Sequence, residues 1–178
     1  PEIREAMSLG MEYCRKYNAD LLLATDPDCD RVGIAVKDSA GEYVLLSGNE
    51  VGLLMLDYIC SRRKELNRMP EDPVFVKTIV TMDLAERIAA HYGVRTVNVL
   101  TGFKFIGEQI KFFEQTGSNS YVFGLEESYG CLAGTYARDK DACVAVMMLC
   151  EVAAWCKKNG KTLWDAMLDM YETYGYYR

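Results

Sequence analysis

The chain has 178 residues, half of them hydrophobic and 26% charged, a balance that supports one good core with part of a second unit beside it. Its formal net charge of −6 comes without a basic block, which argues against nucleic acid as a partner. The longest apolar stretch, 142–156, is interrupted by Glu151 and is too short to span a bilayer, so it reads as a buried helix and no membrane partner is expected. Seven cysteines without a Cys-x-x-Cys pair read as reduced, buried thiols of a cytoplasmic protein, and the opening residues lack the character of a secretory leader.

In chain order, residues 2–17 read as a helix because Ile3, Met7, Met11 and Cys14 recur on one face, and Asn18 suits its end. Apolar runs at 21–23 and 32–36 read as buried strands around the turn "TDPDCDR". A Ser-Ala-Gly turn leads into strand "YVLLS", and "GNEVGLLMLDYICSRRKEL" reads as a helix with Val51, Leu54, Met55, Tyr58 and Ile59 on its apolar face. The loop "NRMPEDP" holds two of the four prolines. Strand "VFVKTIV" then precedes a helix at 83–92, where Asp83 and Glu86 are spaced as a capping box and Gly93 is a stop. Strand "TVNVL" precedes a helix at 103–115, and strand "YVFGL" precedes one at 141–158. Thr162 caps a last helix through Tyr174. This alternation predicts an α/β chain: a three-layer α/β/α domain with a mostly parallel sheet at 47–178, preceded by residues 1–46 as the end of another α/β domain.

The acidic turn carries the most chemistry. Asp26, Asp28 and Asp30 repel one another unless water or a cation absorbs the charge, and oxygen-only ligands suit Mg²⁺, Ca²⁺ or Mn²⁺. An EF-hand counted from Asp26 needs Gly and Glu where the chain has Arg31 and Lys37, so that loop is excluded. A phosphatase of the haloacid dehalogenase type, with Asp26 as nucleophile of D-x-D-x-T, needs Thr where the chain has Asp30. It stands as an alternative, beside a non-catalytic sugar-phosphate-binding module. Cys29, with no partner near it in sequence, reads as a spacer.

Ligands of open α/β sheets gather at the carboxyl ends of strands. There the chain places the acidic turn, Lys77, "LTGFK", "GLEESYG" and "ARDKD". Carboxylates accept bonds from hydroxyl groups while lysine and arginine hold phosphate, so the set suits a phosphorylated sugar. Each piece also has a plainer reading. Thr101 can cap a helix, Phe103 can pack in the core, and Lys77 can face solvent. Glu126, Glu127 and Ser128 can form a loop tip, and "RDKD" a solvated helix start. His91, the only histidine, reads as structural, which leaves no catalytic triad.

Together these motifs resemble the α-D-phosphohexomutase superfamily, and within it the phosphoglucomutases. "TDPDCDR" is similar to the family's magnesium loop, with Pro27 where Gly is usual; "TGFKFIG", "GLEESYG" and "RDKD" follow in the family's order. The resemblance implies that Asp26, Asp28 and Asp30 bind Mg²⁺ and that Arg31 contacts the same region. It implies that Glu126 and Ser128 recognise sugar hydroxyls, and that Lys140 transfers a proton or holds substrate phosphate. Lys77, Thr101, Gly102 and Lys104 complete the wall. The implied substrates are glucose 1-phosphate and glucose 6-phosphate, interconverted through a phosphoserine and glucose 1,6-bisphosphate. The serine and a phosphate-binding loop have no counterpart here, so the resemblance implies that the chain works with the remaining domains of a larger enzyme and is inactive alone.

Overall fold

The computed structural model describes residues 1–176, so the last two positions of the expected 47–178 unit lie outside it. Helix α1 (Arg4–Tyr17) buries Met7, Met11 and Cys14, and it stops where Asn18 takes a left-handed conformation. It lies on an antiparallel sheet of β1 (Leu21–Thr25), β2 (Val32–Lys37) and β3 (Tyr43–Leu46), in that order. Side chains alternate along β2: Ala35 joins the small core under α1, whereas Val32, Ile34 and Val36 join a larger core on the other face.

That larger core belongs to the rest of the chain. Helix α2 (Gly48–Glu65) starts at a capping box in which Ser47 and Glu50 satisfy each other's backbone N–H groups. It is followed by β4 (Pro73–Thr78), α3 (Leu84–His91), β5 (Arg95–Val99), α4 (Phe103–Thr116), β6 (Ser120–Glu126), β7 (Gly130–Leu132), α5 (Ala142–Lys158) and α6 (Leu163–Tyr174). The second sheet runs β5-β4-β6-β7, with β4 parallel to both β5 and β6. Helix α4 covers one face through Phe103, Ile106, Ile110 and Phe113, which meet Val74 and Val76. Helices α2, α3, α5 and α6 cover the other, where Phe75, Phe123 and Leu125 join a core that also takes in Val32, Ile34, Val36 and Leu46 of the first sheet. The fold is α/β, with three layers and a mostly parallel second sheet.

The structure departs from several expectations. Strand β7 is an element that the sequence pattern does not announce: at three residues it is too short to show a period, and it pairs antiparallel with β6 across a turn at 127–129. Strand β4 stops at Thr78, leaving Ile79 and Val80 exposed. The Asp83–Glu86 capping box does not form, since Asp83 makes no cap hydrogen bond and both carboxylates lie instead near the Lys77 ammonium, at 3.4 and 3.3 Å. Helix α5 is amphipathic rather than wholly buried, so Cys143 and Cys150 are exposed, against the expectation of seven buried thiols.

Candidate functional site

The turn between β1 and β2 is shaped by Asp26. Its Oδ1 accepts from the backbone N–H groups of Asp30 (3.1 Å) and Arg31 (3.0 Å), and its Oδ2 accepts from Arg31 Nε at 2.8 Å. Burial raises the pKa of this carboxyl, but those bonds more than offset it and bring it down to about 2. With both oxygens engaged, Asp26 is held as a fixed anion rather than presented as a nucleophile. Arg31 is drawn further by Glu2 at 2.7 Å.

Asp26, Asp28 and Asp30 each offer a carboxylate oxygen within 4.8 Å of the others. Asp30 Oδ1 is buried with no hydrogen-bond partner, its nearest ionic neighbour being Arg31 Nε at 3.5 Å. An all-oxygen set with one buried, unsatisfied acceptor fits a hard divalent cation.

The turn is docked against the β6–β7 hairpin. Arg31 forms a β-bridge with Gly130, and the Val32 N–H donates to the Tyr129 carbonyl at 3.2 Å. The hairpin closes through Tyr129 in a left-handed conformation, as the third residue of such a loop requires. Glu126, the last residue of β6, is buried, while Glu127 turns back to accept from the Thr78 hydroxyl at 2.8 Å. Ser128 donates to Glu127 Oε1 at 3.2 Å.

Lys140 joins the two. Its ammonium lies 2.7 Å from Asp30, 3.6 Å from Glu126 and 3.7 Å from Asp139. Burial lowers the Lys140 pKa, but Asp30, Glu126 and Asp139 outweigh it, so the group is held cationic. Burial raises the Glu126 pKa, and the Lys140 charge offsets only part of that. Gly130 makes the approach possible: a Cβ there would collide with the Lys140 stem and lie 2.9 Å from Glu126 Oε1. Behind Lys140, the carbonyl of Arg138 packs onto Gly107 of α4, which has no room for a side chain. Asp141 then caps α5 by accepting from the Cys143 N–H at 2.8 Å. The segment 138–141 is thus both a helix start and a strap across the site.

The other expected residues lie on neighbouring elements of the second sheet and its helices. Lys77 shares its face of β4 with Phe75, only 1% exposed, and donates to the Thr81 carbonyl at 2.8 Å. It does not face solvent. Gly102, not Thr101, occupies the cap position of α4, with φ 117°. Lys104 shares a groove of about 300 Å³ with Gly107, Glu108, Lys111 and Arg138. His91 packs edge-on against Tyr92 and Tyr174, as a structural residue does.

Residues 47–174 match the profile of phosphoglucomutase/phosphomannomutase, alpha/beta/alpha domain III, and residues 1–41 match that of domain II. The chain belongs to the phosphoglucomutase/phosphomannomutase family. It is 36% identical over 178 residues to a phosphoglucomutase of Staphylococcus haemolyticus, covering all of this chain but 31% of that relative. It is similar in fold to Paramecium parafusin in its open form, with a TM-score of 0.71 at 17% identity, over 99% of this chain and 30% of that one. An N-acetylphosphoglucosamine mutase of Aspergillus fumigatus, determined with GlcNAc-6P and magnesium, superposes with a TM-score of 0.59 at 15% identity, over 92% of this chain and 36% of that one. The chain therefore spans about a third of the length of its relatives.

For this mutase-family segment, three features escaped sequence reading. Gly107 and Gly130 seat the strap, but a glycine in a helix or a hairpin carries no signal of what crosses it. Cys29 is not a spacer without a partner: its Sγ lies 3.7 Å from Cys143 Sγ, 114 residues away. Only folding brings that pair together.

Proposed function

We propose that this chain supplies the metal turn and the sugar-recognition hairpin of a phosphoglucomutase that interconverts glucose 1-phosphate and glucose 6-phosphate. The observation that carries the reading is Lys140, whose ammonium lies between Asp30 of the turn and Glu126 of the hairpin. One cation thereby links the carboxylates suited to metal with the carboxylate suited to sugar hydroxyl groups.

Asp26, Asp28 and Asp30 would hold Mg²⁺, which when bound polarises a phosphoryl group and neutralises its developing charge. The magnesium in the Aspergillus homologue supports that choice. Arg31, fixed at Nε by Asp26, brings a guanidinium to the same phosphate. Glu126 accepts bonds from sugar hydroxyl groups, with Ser128 beside it. Lys140, kept charged by its neighbours, donates a proton to a leaving oxygen or holds substrate phosphate. Thr101, Gly102 and Lys104 form the wall toward the second phosphate, while Lys77, buried and held by Thr81, Asp83 and Glu86, takes no direct part in it.

The phosphoserine and the phosphate-binding loop belong to domains outside this chain, as does any turnover. In the complete reaction, phosphoserine donates its phosphoryl group, glucose 1,6-bisphosphate reorients, and the other phosphate returns to serine. Residues 1–46 close domain two and residues 47–178 form domain three of that cytoplasmic enzyme. Coupled assay of the full-length protein with Mg²⁺ and glucose 1,6-bisphosphate tests this. Interconversion is expected, and none from the 178-residue chain alone. A full-length protein that ignores glucose phosphates but turns over another hexose phosphate would overturn the substrate assignment.

A further inference from the structure

Among the described residues, Cys29 and Cys143 make the one recorded contact between two thiols. Cys29 sits between Asp28 and Asp30 in a left-handed conformation, with φ 58°, that few side chains adopt without reason. Cys143 lies in the first turn of α5, exposed, and the backbone already joins the two sites: the Ala142 N–H donates to the Cys29 carbonyl at 3.0 Å. The sulfurs are in van der Waals contact at 3.7 Å, so a bond of about 2.05 Å requires them to close by roughly 1.6 Å. Cys14, Cys60, Cys131 and Cys156 are buried away from reagents. Cys150 is exposed on the same helix, without a recorded thiol neighbour.

We propose that Cys29 and Cys143 form a reversible disulfide site, addressed by small disulfides of the glutathione class, that locks the acidic turn onto the start of α5. The exposed Cys143 sulfur, as thiolate, attacks the small disulfide, forming a mixed disulfide and expelling one small thiolate. The Cys29 sulfur, having lost its proton to solvent, attacks the Cys143 sulfur and expels the second. Two protein thiols are oxidised, one small disulfide is reduced to two thiols, and a dithiol reverses the exchange. Because Asp28 and Asp30 flank Cys29, the bond would fix the backbone that presents them.

The test incubates the full-length protein with oxidised glutathione, blocks remaining thiols, and maps its peptides by mass spectrometry. A crosslinked pair bearing Cys29 and Cys143 is expected. It should disappear with dithiothreitol or in Cys143→Ser, while Cys150 stops at the mixed disulfide. Glutathione on Cys143 with Cys29 still open to alkylation would overturn the pairing. The lock is read separately, without metal, by amide exchange across residues 26–31. Exchange slowed by about tenfold or more in the oxidised form is expected, and equal rates in the two forms would overturn the lock.

Discussion

Lys140 and Lys77 both meet two or more carboxylates near strand ends, yet they are built differently. Lys77 is 1% exposed, and its partners Thr81, Asp83 and Glu86 come from the adjoining loop and the start of α3. Lys140 is 17% exposed and gathers Asp30, Glu126 and Asp139 from three separate segments. The first arrangement fastens one loop to one strand. The second sets the distance between two loops that carry different chemistry. A charge cluster assembled across the chain defines a site; one assembled within ten residues closes a turn.

The largest effect should come from the cluster's anionic side. In the full-length protein, Asp28→Asn, at the exposed member of the acidic triad, is expected to lower kcat/KM by about 100-fold or more with little change in melting temperature, measured by coupled assay and thermal unfolding. A variant that melts early would make Asp28 a fold residue and weaken the contrast with Lys77. Lys140→Ala should follow, at about 10- to 150-fold in kcat/KM, the usual worth of one charged hydrogen bond.

Lys77 should show the opposite emphasis in stability. Lys77→Ala is expected to cost about 2–5 kcal/mol in denaturant unfolding, since it opens a cavity beside Phe75. Lys77→Met, which refills that space, should recover most of it, because Asp83 and Glu86 keep their water. Gly130→Ala sharpens the comparison from the other side. It should displace the Lys140 stem and reproduce much of the Lys140→Ala loss in kcat/KM, yet leave the Lys77 contacts untouched.

The smallest effect is in acid. The Asp26 pKa is depressed in the folded protein, so its contribution is fully present above the unfolded carboxylate value of about 3.9 and is lost as pH falls toward about 2. Wild type should therefore lose more stability over that window than Asp26→Asn does. Parallel pH profiles of the two would remove the carboxylate anchor from the account.

The sequence revealed what was contiguous. The acidic turn, the Thr162 cap and the apolar faces of α1 and α2 could be read from neighbouring residues, except that Ile3, expected on the α1 face, precedes the helix and is exposed. Where a local rule met a distant or stronger partner, the rule lost: Asp83 and Glu86 have the spacing of a capping box, but a buried ammonium takes both carboxylates. The resemblance implied a role for Lys140 but not its contacts, since Asp30 lies 110 residues away. Strand β7 and the Cys29–Cys143 contact had no local signal at all.

The shared hydrophobic core carries a mechanical consequence. Val32, Ile34, Val36 and Leu46 of the first sheet are buried with α2, α5 and α6 in one continuous cluster. Prying the turn away from the hairpin would wet that cluster at about 25 cal/mol for each Å² exposed, a steep cost for a routine catalytic motion. The two loops therefore form one jaw of fixed shape. Any opening of this site has to pivot at a joint elsewhere than between residues 46 and 47.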